Sequence, residues 1–113
     1  MIPELAEEIL TSGKADLVAL GRPLVADPLF VEKATSERSK EIRRCAACHQ
    51  GCLDELRAGR RFGCNFNPFV GMEEEIEIPK ATQPGKRVFI IGAGLAGLEA
   101  AYTAAVRGHK VSA

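Results

Sequence analysis

Cysteine occurs at positions 45, 48, 52 and 64 of the chain, a spacing of C-x2-C-x3-C-x11-C. The first three thiols are such near neighbours that disulfides among them would be strained. They can instead wrap one metal centre. Iron–sulfur clusters are held by cysteine thiolates, commonly three close together and one remote. Structural zinc also takes four, usually as two well-separated pairs. Here one pair, Cys45 and Cys48, is followed closely by Cys52, and Cys64 stands alone. That pattern points to a 4Fe–4S cluster, with zinc as the alternative. His49 lies inside the cysteine loop. With four thiols at hand it is expected to pack or hydrogen-bond near the sulfurs rather than to ligate. Arg38, Lys40, Arg43, Arg44, Arg57, Arg60 and Arg61 flank the cysteines. They either offset the negative charge of a thiolate-ligated centre or form a solvated face.

A second motif lies further on. Gly92-Ala93-Gly94-Leu95-Ala96-Gly97 reads G-x-G-x-x-G. Alone the pattern is weak, but here it directly follows an apolar strand-like run and opens a helix-like one. Gly92 suits a tight turn, and Gly94, beside Ala93, lets a pyrophosphate approach the backbone. Gly97 lets helix and strand pack closely. The helix start supplies N–H groups and the positive end of a dipole. The acidic residue that grips a ribose is expected about 20 residues further on, past Ala113, so FAD and NAD are not separated. A third place of interest is Gly21-Arg22. It follows an apolar run, and strand ends of parallel folds bind ligands. Arg22 there either holds a phosphate or is a surface turn residue.

The elements that must position these residues fall into unlike blocks. Pro3 and the spacing of Leu5, Ile9 and Leu10 predict a helix that stops at Ser12-Gly13. Ala15 to Leu20 (ADLVAL) reads as a strand buried on both faces, broken by Gly21-Arg22-Pro23. Asp27-Pro28 predicts a helix start, with Leu29, Phe30, Val31 and Ala34 as its apolar residues. Leu53 to Ala58 predicts a short helix ended by Gly59, and 60–70 a loop. Val88 to Ile91 predicts a strand, Leu98 to Arg107 a helix stopped by Gly108, and 109–113 entry into a second strand. His109, in the turn between, is expected to be solvated. The organisation expected is 1–44, 45–70, a linker at 71–86, and 87–113.

Composition narrows the function classes. The 113 residues are 46% hydrophobic and 27% charged, with 15 basic and 15 acidic residues and no net charge. Those fractions suit a globular protein, and balanced charge gives no footprint for nucleic acid. No run approaches the length of a membrane span. No secretory leader is recognised, so a reducing, cytoplasmic setting is expected, where cysteines bind metal more readily than they pair.

With these motifs in order, the chain resembles the iron–sulfur NADH:flavin oxidoreductases. That family includes bacterial 2,4-dienoyl-CoA reductase, enoate reductase and trimethylamine dehydrogenase. ADLVALGRPLVADP resembles the last strand and turn of their FMN-binding TIM barrel. RRCAACHQGCLDEL and CNFNP resemble their cluster segment, and KRVFIIGAGLAGLEAA with RGHKV the start of their Rossmann-like FAD/NAD(P) domain. The resemblance implies an α/β fragment of a multidomain protein. It implies cluster ligation by Cys45, Cys48, Cys52 and Cys64. It also implies FMN phosphate contact at Gly21 and Arg22, and a pyrophosphate over Gly92, Ala93, Gly94 and Gly97. The implied activity passes electrons from NAD(P)H through FAD and a 4Fe–4S cluster to FMN, reducing an activated C=C bond of an enoyl or dienoyl substrate. The residues of catalysis would lie elsewhere in the enzyme, and the partners would be its remainder or other copies of this chain. The competing expectation is a small stand-alone zinc or iron–sulfur binding module, or a non-catalytic truncated product.

Overall fold

Proline is tolerated in the first turn of a helix, where its missing N–H has no partner to lose. Pro3 accordingly opens α1, Pro3–Thr11. The chain leaves through Ser12 and through Gly13 at φ +68°, the left-handed exit that glycine permits. The computed structural model describes residues 2–73, 78–83 and 85–113. Met1 and, within the expected linker 71–86, residues 74–77 and 84 lie outside the described residues. The chain divides into two units, Met1–Gly71 and Met72–Ala113.

The first unit corrects the reading of residues 15–20. ADLVAL joins no ladder among the described residues, and Leu17 is 87% exposed. A strand is defined by a hydrogen-bonded neighbour, and none is present among the described residues of this unit. Gly21-Arg22-Pro23 ends that run and opens a helix. Gly21 caps α2, Arg22–Ala26, with Pro23 in its first turn. Helix α3, Phe30–Thr35, begins later than Asp27-Pro28 predicts. Asp27 is instead a hub. Its Oδ1 accepts from Leu29 N–H at 3.1 Å, and its Oδ2 from Lys33 Nζ at 2.7 Å and Arg43 N–H at 2.9 Å. A single 3-10 turn, Ser39–Glu41, packs on α3. Helix α4, Leu53–Arg57, ends at Gly59 with φ +67° as expected. Residues 60–70 carry no regular element. The buried residues are Ala26, Asp27, Phe30, Ile42, Cys52 and Asn67. Among the described residues no buried side-chain nitrogen or oxygen lacks a partner.

The second unit is a β–α–β. Strand β1, Arg87–Phe89, leads to α5, Leu95–Val106, and then to β2, Lys110–Ser112. The strands are parallel, with Val88 opposite Val111, and Ile90 N–H extends the ladder to Ser112 O at 2.8 Å. The helix starts at Leu95, three residues before the predicted Leu98, which puts Gly97 inside its first turn. Phe89 and Ile91 are 74% and 93% exposed. Leu95, Leu98 and Tyr102 on α5 are also exposed. His109 is half-buried in its turn, and its Nδ1 accepts from Lys86 N–H at 3.2 Å. Lys80 Nζ donates to Val106 O at 3.0 Å, setting a cation at the negative end of α5. Among the described residues no helix is long and apolar enough to cross a membrane.

Candidate functional site

Cys45, Cys48, Cys52 and Cys64 all line one open pocket. All four are free thiols. Cys52 is buried, Cys45 and Cys64 are half-buried, and Cys48 is exposed. The sequence places three of them on one tight loop. The fold must bring in the fourth, and it does so with cross-links between residues 49–52 and 63–65. Gly63 N–H donates to Gly51 O at 2.7 Å, and Asn65 Nδ2 to Gln50 Oε1 at 2.9 Å. Gly51 permits this approach. A Cβ there would lie 3.0 Å from Asn65 N and 3.1 Å from Cys64 C, inside normal contact.

Further cross-links tie this loop pair to the helices before it. Arg43 N–H is held by Asp27, and Arg43 Nη1 donates to Phe66 O at 2.9 Å. Asn67 Nδ2 donates to Val25 O at 3.0 Å. Cys45 is thereby fixed two residues beyond Arg43, and Cys64 two before Phe66. Asp27 works against its own burial, which alone would raise its pKa. The hydrogen bond and charge of Lys33 and the Arg43 and Leu29 amides outweigh that burial and hold the carboxyl below the usual range. Asp27, Gly51, Asn65 and Asn67 were not singled out from sequence as site residues, and Arg43 was read only as a flanking cation. Only Gly51, adjoining Cys52, carries a local signal.

The donor set suits a thiolate-ligated cluster. Ala47 N–H points to Cys45 Sγ and Phe66 N–H to Cys64 Sγ, each at 3.4 Å. Such bonds stabilise coordinated sulfur and tune its potential. Among the described residues no three His, Cys, Asp or Glu side chains close on a point as one ion requires.

Three of the seven flanking cations form surface pairs among the described residues. Arg38 meets Glu32 and Glu41, Arg57 meets Asp54, and Arg60 meets Glu55. The Arg60 hydrogen bond and charge draw the Glu55 carboxyl below its ordinary range, and Glu55 in turn raises Arg60. Exposed pairs of this kind contribute little to stability. The cation in the pocket is Arg22. Its Nη1 meets His49 Nε2 at 2.5 Å, and both residues line the pocket with the cysteines. Gly21, beside it, has open space where a side chain would stand.

In the second unit the glycine turn has three distinct roles. Gly92 holds φ +105°, which favours glycine. Gly94 caps α5, and a Cβ on it would meet nothing within 4 Å, leaving its backbone open to a ligand. A Cβ on Gly97 would strike the Gly92 carbonyl and touch Ile90. Ala93 lies between the first two. Turn, open approach and close packing thus fall in the order the motif demands.

Comparison with known proteins agrees with both halves of this description. The family model for glucose inhibited division protein A matches residues 87–112. A metal reductase of Desulforamulus reducens is 47% identical over 110 residues, 97% of this chain and 16% of that protein. A cinnamate reductase of Clostridium sporogenes is 44% identical over 110 residues, again 97% of this chain and 16% of the relative. A solved 2-naphthoyl-CoA reductase superposes with a TM-score of 0.85 at 38% identity, covering 95% of this chain and 16% of the other. The chain belongs to the iron–sulfur flavin oxidoreductase family. It spans 16% of the length of those curated relatives.

Proposed function

We propose that this chain is part of an NAD(P)H-dependent flavin/iron–sulfur oxidoreductase that reduces an activated C=C bond in an enoyl or dienoyl substrate. The observation that carries the reading is the sharing of one pocket by all four cysteines. Names among the relatives support the reaction class, with cinnamate reductase and 2-naphthoyl-CoA reductase both denoting reductases of unsaturated acids or their thioesters. In this reading 1–44 closes an FMN barrel, 45–70 holds the cluster, 71–86 links, and 87–113 begins the FAD/NAD(P) domain.

When bound, the cofactors supply hydride acceptance at FAD, one-electron transfer at a 4Fe–4S cluster, and two-electron reduction at FMN. The residues of this chain bind and orient. Cys45, Cys48, Cys52 and Cys64 are the thiolate ligands. The Ala47 and Phe66 amides support two of the sulfurs. Gly21 and Arg22 serve the FMN phosphate, and Gly92, Ala93, Gly94 and Gly97 cradle a pyrophosphate against the start of α5.

The test is cofactor content of the full-length protein purified without oxygen. Iron and sulfide near four per chain, absorbance near 400 nm, and both FMN and FAD after denaturation are expected, on the ligand set of such clusters. A colourless protein with one zinc per chain would replace this reading with the binding-module alternative.

A further inference from the structure

The Arg22–His49 contact joins residues 27 positions apart in sequence and lies inside the cysteine pocket. A guanidinium only donates hydrogen bonds. His49 Nε2 must therefore accept, which puts the ring hydrogen on Nδ1 and keeps Nε2 away from any metal. The backbone of His49 is engaged as fully as its ring. At φ +63° its carbonyl accepts from Cys52 N–H at 3.2 Å and Asp54 N–H at 3.1 Å, and Cys52 Sγ lies 3.6 Å from the same oxygen. One residue thus sets the entry to α4 and the position of the buried ligand Cys52. Its ring is tethered to α2 through Arg22.

Resting on the cluster reading above, we propose that Arg22 and His49 form a positioning clamp, which fixes the Cys48–Cys52 loop and holds a guanidinium at the rim of the cluster pocket. One nitrogen on His49 leaves the other side of the guanidinium fork for a phosphate, so the clamp is compatible with flavin contact at Arg22. It also gives the pocket a lining cation of its own, while Arg38, Arg57 and Arg60 are paired with surface acids. A nearby positive charge favours the more reduced, more negative state of a thiolate-ligated cluster.

The experiment uses the full-length holoenzyme with His49→Gly and His49→Gln. Glycine suits φ +63° and removes the ring without backbone strain, while glutamine restores an acceptor within reach of Arg22. Loss of a group that orients a metal ligand commonly weakens metal retention tenfold or more, so iron release to a chelator is expected about tenfold faster in His49→Gly. Its cluster midpoint potential, followed by electron paramagnetic resonance, should fall. His49→Gln should return both towards wild type. Arg22→Gln should lower the potential as His49→Gly does, and Arg22→Lys less. A brown wild type whose His49→Gly variant keeps its iron and its potential overturns the clamp alone. Equal damage by glycine and glutamine also overturns it, because the accepting atom would then be immaterial. A wild type that binds zinc and no iron overturns the cluster reading and the clamp with it.

Discussion

The two units build their sites by opposite means. In Met72–Ala113 the backbone defines the site. A strand, a turn and a helix are placed by φ values and by the absence of Cβ atoms, and the same hexapeptide supplies every residue of the turn. In Met1–Gly71 no regular element carries the cysteines except α4, which Cys52 caps. Loops are held instead by side chains that reach far along the chain, as Asn67 does to Val25 and Arg43 to Phe66. A site made of backbone geometry should be broken only by adding atoms. One made of cross-links should be broken by removing them.

The largest expected effect separates the two sites. In the full-length protein, Cys52→Ser should lose essentially all cluster iron and keep FAD. Gly94→Asp should do the reverse, because its side chain and charge would occupy pyrophosphate space. Iron and flavin assays on the same two variants check this, and loss of both cofactors in either one would erase the distinction.

Asp27→Asn comes next. It leaves Lys33, whose side chain is 14% exposed, without its anion, a change that costs about 3 kcal/mol for well-buried pairs and less with partial exposure. Chemical denaturation should show the loss. The sign with pH follows from the lowered pKa of Asp27. Its contribution is complete above the unfolded carboxyl value of about 3.9 and disappears as acid carries the pH down through the folded value. Asp27→Asn should therefore weaken the acid sensitivity of the first unit below about pH 4.

Gly97→Ala tests the backbone side. Its methyl would meet the Gly92 carbonyl, and such overpacking costs about 1–3 kcal/mol. Reduced FAD retention with unchanged iron is the expected result. The smallest effect belongs to Ala47, a non-glycine residue at φ +54°. Ala47→Gly relieves left-handed strain of about 1–2 kcal/mol and adds chain entropy worth about 0.5–1 kcal/mol. A change in stability within about 1 kcal/mol is expected, with full iron content.

The same contrast explains what could be read from the sequence. The glycine motif encodes its own geometry, so Gly92, Gly94 and Gly97 fell where their spacing puts them. Cysteine spacing told that the thiols gather, as they do in lining one pocket, but not what draws Cys64 to the others. That depends on Gly51 and on an amide of Asn65, residues with no pattern of their own. ADLVAL misled because its composition describes a buried strand, whereas a ladder also needs a neighbour. Asp27 misled differently. Its place before proline reads as a helix cap, yet Lys33 and the Arg43 amide claimed its second oxygen.

The bond from Asn67 to Val25 also has a bearing on synthesis. A ribosome releases Cys45, Cys48 and Cys52 in quick succession, but the links from Gly63 and Asn65 that draw in Cys64 cannot close until those residues have emerged, and the tie to Val25 waits for Asn67. Between those moments three thiols stand together without their fourth, open to oxidants and stray metal ions.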